Sequence, residues 1–106
     1  MISPGWVDLF IPIGADLDLD VAVDLDGSPY DLTGMTGELI AQDPDAATPV
    51  LSLTDTDGLT LGDGVVTLTR TDTQTGAMSP GRYPFTFTVT DAGTTVRALE
   101  GTITTY

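Results

Sequence analysis

An all-β domain is the fold class this sequence predicts, with about seven to eight antiparallel strands in two packed sheets and one short helical turn near 71–78. Glycine and proline break the chain roughly every 8 to 12 residues, the spacing of a sandwich or barrel. Between the breaks, β-branched residues dominate and apolar residues alternate with polar ones. No run keeps a helical period for three turns.

Each element follows from its own pattern. The first, "WVDLFIPI" within residues 1–13, supplies apolar side chains without regular alternation. It reads either as a first strand completing the core or as an N-terminal arm that packs Trp6, Phe10 and Ile11 on a neighbouring subunit. In "ADLDLDVAVDLDG", Leu17, Leu19, Val21, Val23 and Leu25 share one parity, and Asp16, Asp18, Asp20, Asp24 and Asp26 share the other. Successive side chains of a strand point to opposite faces, so the aspartates form its wet face. The cluster "DGSPYDLTG" then breaks the strand.

"MTGELIAQ" (35–42) and "VLSL" (50–53) read as two strands joined by the loop "DPDAATP", and Gly-Asp-Gly at 62–64 turns "GLTL" into "VVTLTR". The stretch 71–81 holds a helical turn capped by Thr71 or Asp72 and ended by Pro80 and Gly81. In "RYPFTFTVT" (82–90), Tyr83, Phe85, Phe87 and Val89 face one way and Pro84, Thr86, Thr88 and Thr90 the other. Pro84 lacks an amide donor, which puts it at a sheet edge or where pairing has only just begun. "DAGT" (91–94) turns the chain into a last strand whose parity changes between Ala98 and Leu99, so a bulge is expected near Leu99 to Gly101. No internal repeat, linker or second domain is visible, and residues 1–106 read as one domain.

Composition narrows the function. Sixteen acidic residues oppose three arginines, Arg70, Arg82 and Arg97, with no lysine or histidine, for a net charge of -13. Such a body repels phosphate backbones and anionic lipid, so neither nucleic acid nor membrane is an expected partner. The same acidity also serves solubility, a salty habitat or a GC-rich codon usage. Without cysteine, no disulfide or thiolate metal site is available, and burial must hold the fold together. The N-terminus has no basic region and its apolar residues are interrupted by Pro4, Asp8 and Pro12, unlike a signal peptide or membrane span. Synthesis in the cytoplasm is the expectation.

Clustered aspartates raise the question of calcium, which takes several oxygen ligands from one compact loop. Carboxylates at i and i+2 of a strand stand roughly 6.5 to 7 Å apart, too far for one segment to wrap an ion. The EF-hand spacing also fails: "DLDG" (24–27) has alanine at the first ligand position and threonine at the last, and "DTDG" (55–58) has leucine and glycine there. A calcium site could still be assembled from turn residues, with Asp26, Asp31, Asp55, Asp57 and Asp63 as its candidate ligands. Nucleophilic catalysis lacks a base, since Ser3, Ser28, Ser52 and Ser79 have no histidine or lysine to activate them. No enzyme activity and no cofactor are expected. Arg82 and Arg97, on the two strands of the last hairpin, can pair with Glu100 or Asp91 and are candidate contact residues beside Trp6, Phe10 and Ile11.

The ordered series "DGSPYDLTGMTGELIAQ", "TPVLSL", "GLTLGDGVVTLT" and "SPGRYPFTFTVTDAGTTVRALEGTITTY" resembles small β-sandwich proteins of tailed bacteriophages, in particular the immunoglobulin-like N-terminal domains of baseplate upper proteins and free-standing phage structural proteins. The resemblance runs from residue 15 to 105. It implies a non-enzymatic virion component that meets other capsid, neck, tail or baseplate proteins and associates with itself in a symmetric ring or lattice. Baseplate members continue into a stalk and a receptor-binding portion. A chain ending at Tyr106 is therefore expected to act as an adaptor, a spike base or a capsid decoration. The competing expectation is a secreted or cell-surface binding module, calcium-dependent or carbohydrate-binding.

Overall fold

The computed structural model describes residues 5–25, 28–43 and 49–106. Ten strands and one helix occur among them: β1 (Gly5–Ile11), β2 (Leu17–Ala22), β3 (Asp24–Leu25), β4 (Ser28–Pro29), β5 (Thr36–Ala41), β6 (Leu51–Thr54), β7 (Leu59–Leu61), β8 (Val65–Arg70), α1 (Asp72–Gly76), β9 (Gly81–Asp91) and β10 (Thr94–Thr105). Those beyond the expected number are the two-residue pieces β3 and β4, which pair with each other across the break after the acidic strand. The rest form a five-stranded sheet in the order β1-β10-β9-β5-β6 and a three-stranded sheet in the order β2-β8-β7.

Period-two patterning decides which face of each strand is wet. Leu17 and Val21 of β2 and Val23 beyond it are buried and Leu19 is half-buried, while Asp16, Asp18, Asp20 and Asp24 are exposed. Leu25's side chain and all of Asp26 lie outside the described residues. On β9, Tyr83, Phe85, Phe87 and Val89 are buried as their alternation requires. Phe87 lies opposite Leu99 of β10 on one side and Leu39 of β5 on the other. These side chains and those of β2, β7 and β8 form a single apolar cluster filling the space between the sheets.

One expectation is corrected. The strands are not all antiparallel, because β1 runs parallel to β10 in the register Val7↔Gly101, Leu9↔Ile103 and Ile11↔Thr105. Direction here is set by where residues 12–16 carry the chain, across from the five-stranded sheet into β2, and no local residue pattern encodes that. The pairing depends on Gly101: a Cβ there would run into the Val7 carbonyl. The bulge lies between Arg97 and Leu99, just ahead of the expected span, and lets both Ala98 and Leu99 face the core.

Pro84 sits where pairing begins. The last β5–β9 pair is Ala41↔Phe85, and one residue further the Gln42 N–H donates to the Pro84 carbonyl at 3.1 Å. Proline's missing donor therefore falls where the β5 ladder ends. The β9–β10 turn places Ala92 at φ 51° and Gly93 at φ 85° between the paired Asp91 and Thr94. Positive φ at both central residues is the twist-matched hairpin turn, and only alanine is out of place in it.

The helical turn has Thr71 as its N-cap. Thr71 Oγ1 accepts from the Gln74 N–H at 3.2 Å, and Gln74 Oε1 accepts from the Thr71 N–H at 2.9 Å. Thr75, fully buried, accepts from the Gly14 N–H at 3.1 Å and donates to the Ala15 carbonyl at 2.7 Å, tying α1 to the 12–16 crossover. Tyr83 donates its hydroxyl back to the Ser79 carbonyl at 3.1 Å, fixing the corner by which the chain enters β9.

Two outcomes follow. Gly101→Ala is expected to push β1 off β10 and lower stability by about 3 kcal/mol or more in urea unfolding, the upper range for a forced insertion. Ala92→Asn, which relieves the left-handed alanine, is expected to raise stability by roughly 1 kcal/mol in the same assay.

Candidate contact surface

The outer face of the five-stranded sheet carries the exposed aromatic residues. Alternation along β1 buries Leu9 and Ile11, half-buries Val7 and turns Trp6, Asp8 and Phe10 outward. Trp6 is 69% exposed, Phe10 59% and Tyr106 66%, and these are the large exposed hydrophobic side chains of the described residues. Trp6 lies opposite Glu100 and Phe10 opposite Thr104. Tyr106 is held beside them by its N–H, which donates to the Ile11 carbonyl at 3.2 Å, and by its carbonyl, which accepts from the Ile13 N–H at 2.8 Å. Along a strand, Trp6 and Phe10 stand about 13 Å apart. Large apolar side chains gathered on one exposed face mark an interaction surface more often than scattered single ones do.

Within the N-terminal segment, Gly5–Ile11 is thus a paired strand of this chain's own sheet. Ile11, expected among the contact residues, is fully buried and belongs to the core. Its parity puts it on the inner face, so the contact surface that β1 offers reduces to Trp6 and Phe10. Beyond them the outer face is mostly polar, with Thr102 and Thr104 on β10, Thr86, Thr88 and Thr90 on β9, and Thr36 and Glu38 on β5, around the half-buried Ile40 and the exposed Pro84. Arg82, exposed, lies opposite Thr104. Arg97 pairs with Glu100 at 3.6 Å, an exposed i,i+3 pair that contributes little to stability.

The third arginine has a different role. Arg70, its side chain only 10% exposed, donates to Asp57 Oδ1 at 2.8 Å and to the Ser52 carbonyl at 2.9 Å. It thereby bridges from β8 to β6 and to the turn that leads into β7, and closes that flank of the molecule. The hydrogen bond from Arg70, and then its charge, hold the Asp57 carboxyl below the ordinary aspartate range.

The described members of the aspartate set named for calcium do not assemble. Asp55 Oδ1 accepts from the Gly37 N–H at 3.2 Å, Asp57 is taken by Arg70, and Asp31 Oδ1 accepts from the Thr33 N–H at 2.9 Å. The Thr33 hydroxyl first, and its N–H second, lower the Asp31 pKa. Asp63 lies opposite Asp31 through a backbone bridge, and Asp26 lies outside the described residues. Among the described residues no three acidic side chains are grouped so as to hold a metal ion. The exposed aromatic group was only half legible beforehand: Trp6 and Phe10 were marked by type, but Tyr106 joins them through the parallel pairing of the two chain ends.

The chain matches no protein-family model and no curated protein.

A carboxyl whose pKa is lowered in the folded protein stabilises it above the unfolded value, and that stability is lost as pH falls through the folded one. Asp57→Asn is therefore expected to lower the melting temperature at neutral pH. The gap to the parent should close as pH drops below the ordinary aspartate value, about 3.9, in melts recorded across pH.

Proposed function

We propose that this protein is a non-enzymatic contact module, an immunoglobulin-like β-sandwich serving as a structural component of a phage or phage-like virion. It is made in the host cytoplasm and built into the particle as an adaptor, spike base or decoration subunit. The observation that carries the contact reading is the exposed row Trp6, Phe10 and Tyr106 on the outer face of a paired sheet.

The immunoglobulin-like reading is supported by strand order. With β2, β8 and β7 in one sheet and β5, β9 and β10 adjacent in the other, the arrangement parallels the B-E-D and C-F-G groupings of that fold. The Tyr83 hydroxyl reaching back to the Ser79 carbonyl at the entry to β9 parallels its tyrosine corner. Leucine, valine and phenylalanine occupy the core, in a chain without the cysteines that bridge the sheets of antibody domains. The virion reading draws on the ordered motifs from "DGSPYDLTG" to "GRYPFTFTVTD" and their resemblance to phage β-sandwich proteins.

A second reading is favoured by the same aromatic row: a cell-surface or secreted module that stacks sugar rings on Trp6, Phe10 and Tyr106. The two differ in what the row touches. On the virion reading, the purified protein forms a defined homo-oligomer or binds a capsid or tail protein, and Trp6→Ala or Phe10→Ala weakens that association at least tenfold, about 1.4 kcal/mol or more. Light scattering and co-purification with particles, read by mass spectrometry, check it. A strict monomer absent from particles but retained on a polysaccharide column would decide for the second reading.

A further inference from the structure

The two flanks of the molecule end differently. Where β6 and β7 are the outer strands, the chain closes its own gap: Thr54 N–H donates to the Asp57 carbonyl, Thr69 N–H to the Gly58 carbonyl, and Arg70 lies across. On the opposite flank β1 and β2 are the outer strands, and among the described residues each is paired on one side only, β1 with β10 and β2 with β8. Between them runs a groove of about 470 Å³. Trp6, Val7, Leu9, Leu19, Val21 and Leu99 line it. Its remaining lining includes Asp8, Asp20 and Asp24, all exposed.

The open edge of β1 has a defined set of backbone groups. The Ile11 carbonyl accepts from Tyr106 and the Ile13 N–H donates to Tyr106, so the odd residues aim their backbone at β10. Alternation turns the N–H and C=O groups of Trp6, Asp8 and Phe10 toward the open side. An unpaired strand edge beside an apolar groove is a template for an added strand, with main-chain bonds supplying affinity and alternate side chains filling the groove.

We infer that this edge takes an extended segment of another protein in which apolar residues alternate with lysine or arginine. The inference rests on the contact-module reading and names the partner's chemistry. Apolar side chains of the added strand enter the groove, while its cations lie on the outer face beside Asp8, within the field that Asp20 and Asp24 set up across the groove. Charge decides against a second copy as occupant. Each chain carries -13 and three arginines, of which Arg70 closes the opposite flank, Arg97 pairs with Glu100 and Arg82 stands on β9, two strands in from the open edge. The acids that keep two such edges from pairing with each other therefore select the sign of the strand that does pair.

The test uses the full chain, labelled for amide NMR, and three synthetic peptides of about nine residues. One alternates lysine with valine, one has glutamate for lysine, and one has proline at alternate positions to remove the donors. The lysine peptide is expected to shift the amides of Trp6, Asp8 and Phe10. The glutamate and proline peptides should bind at least tenfold more weakly. The surface variant Asp8→Asn/Asp20→Asn/Asp24→Asn should weaken the lysine peptide roughly tenfold, and added salt should do the same. Equal binding of all three peptides would overturn the inference. So would shifts confined to other strands, indifference to the triple substitution, or a concentration-dependent dimer that covers the same amides. If association through Trp6 and Phe10 holds while the lysine peptide leaves β1 untouched, the contact reading stands and this inference falls.

Discussion

The closeness of β1 to β10 is the constraint from which the rest of the surface follows. Gly101 has no side chain to strike the Val7 carbonyl, so the first strand can lie against the last in parallel register. That register drives Leu9 and Ile11 into the core and leaves Trp6 and Phe10 on the wet face, beside Tyr106. It also makes β1 an outer strand, with the backbone of alternate residues facing the open flank. An aromatic surface, a groove and a strand edge are thus three consequences of one missing Cβ.

The two flanks show how charge is used in a protein with so few cations. Arg70 is largely buried and spans two sheets, where its fork meets a carboxylate and a backbone carbonyl at once. Planar, bidentate recognition of that kind is what arginine does and lysine does not. On the other flank the charged side chains that line the groove are, among the described residues, all acids. Exposed carboxylates beside an open strand oppose edge-to-edge pairing of two copies, since adding a like-charged strand costs Coulomb energy along the edge. Asp20 also accepts from the Thr67 hydroxyl at 2.7 Å, which keeps its carboxylate facing outward from the β2–β8 pair.

Much of the fold was legible because period two is a local signal. The wet aspartates of β2, the buried aromatic ladder of β9, the Thr71 cap and the turn at 91–94 each follow from a few neighbouring residues. What was not legible depends on residues far apart in sequence. The parallel direction of β1, the loss of Ile11 from the contact set and the arrival of Tyr106 beside Phe10 all come from pairing residues 5–11 with 99–105. The role of Arg70 was hidden for the same reason, since Asp57 and Ser52 reach it only after β6 and β8 are in separate sheets. The turn aspartates illustrate the converse: chemistry by residue type proposed a calcium set, and local hydrogen bonds to Thr33, Gly37 and Arg70 disperse its described members.

Amide hydrogen exchange along β1, read residue by residue in the unbound protein, tests the central claim most directly. A strand paired on one side should show slow exchange at Val7, Leu9 and Ile11, whose N–H groups bond to β10, and fast exchange at Trp6, Asp8 and Phe10. Rapid exchange at all six would mean that the segment is an undocked arm. Slow exchange at all six would mean that its outer edge is already covered.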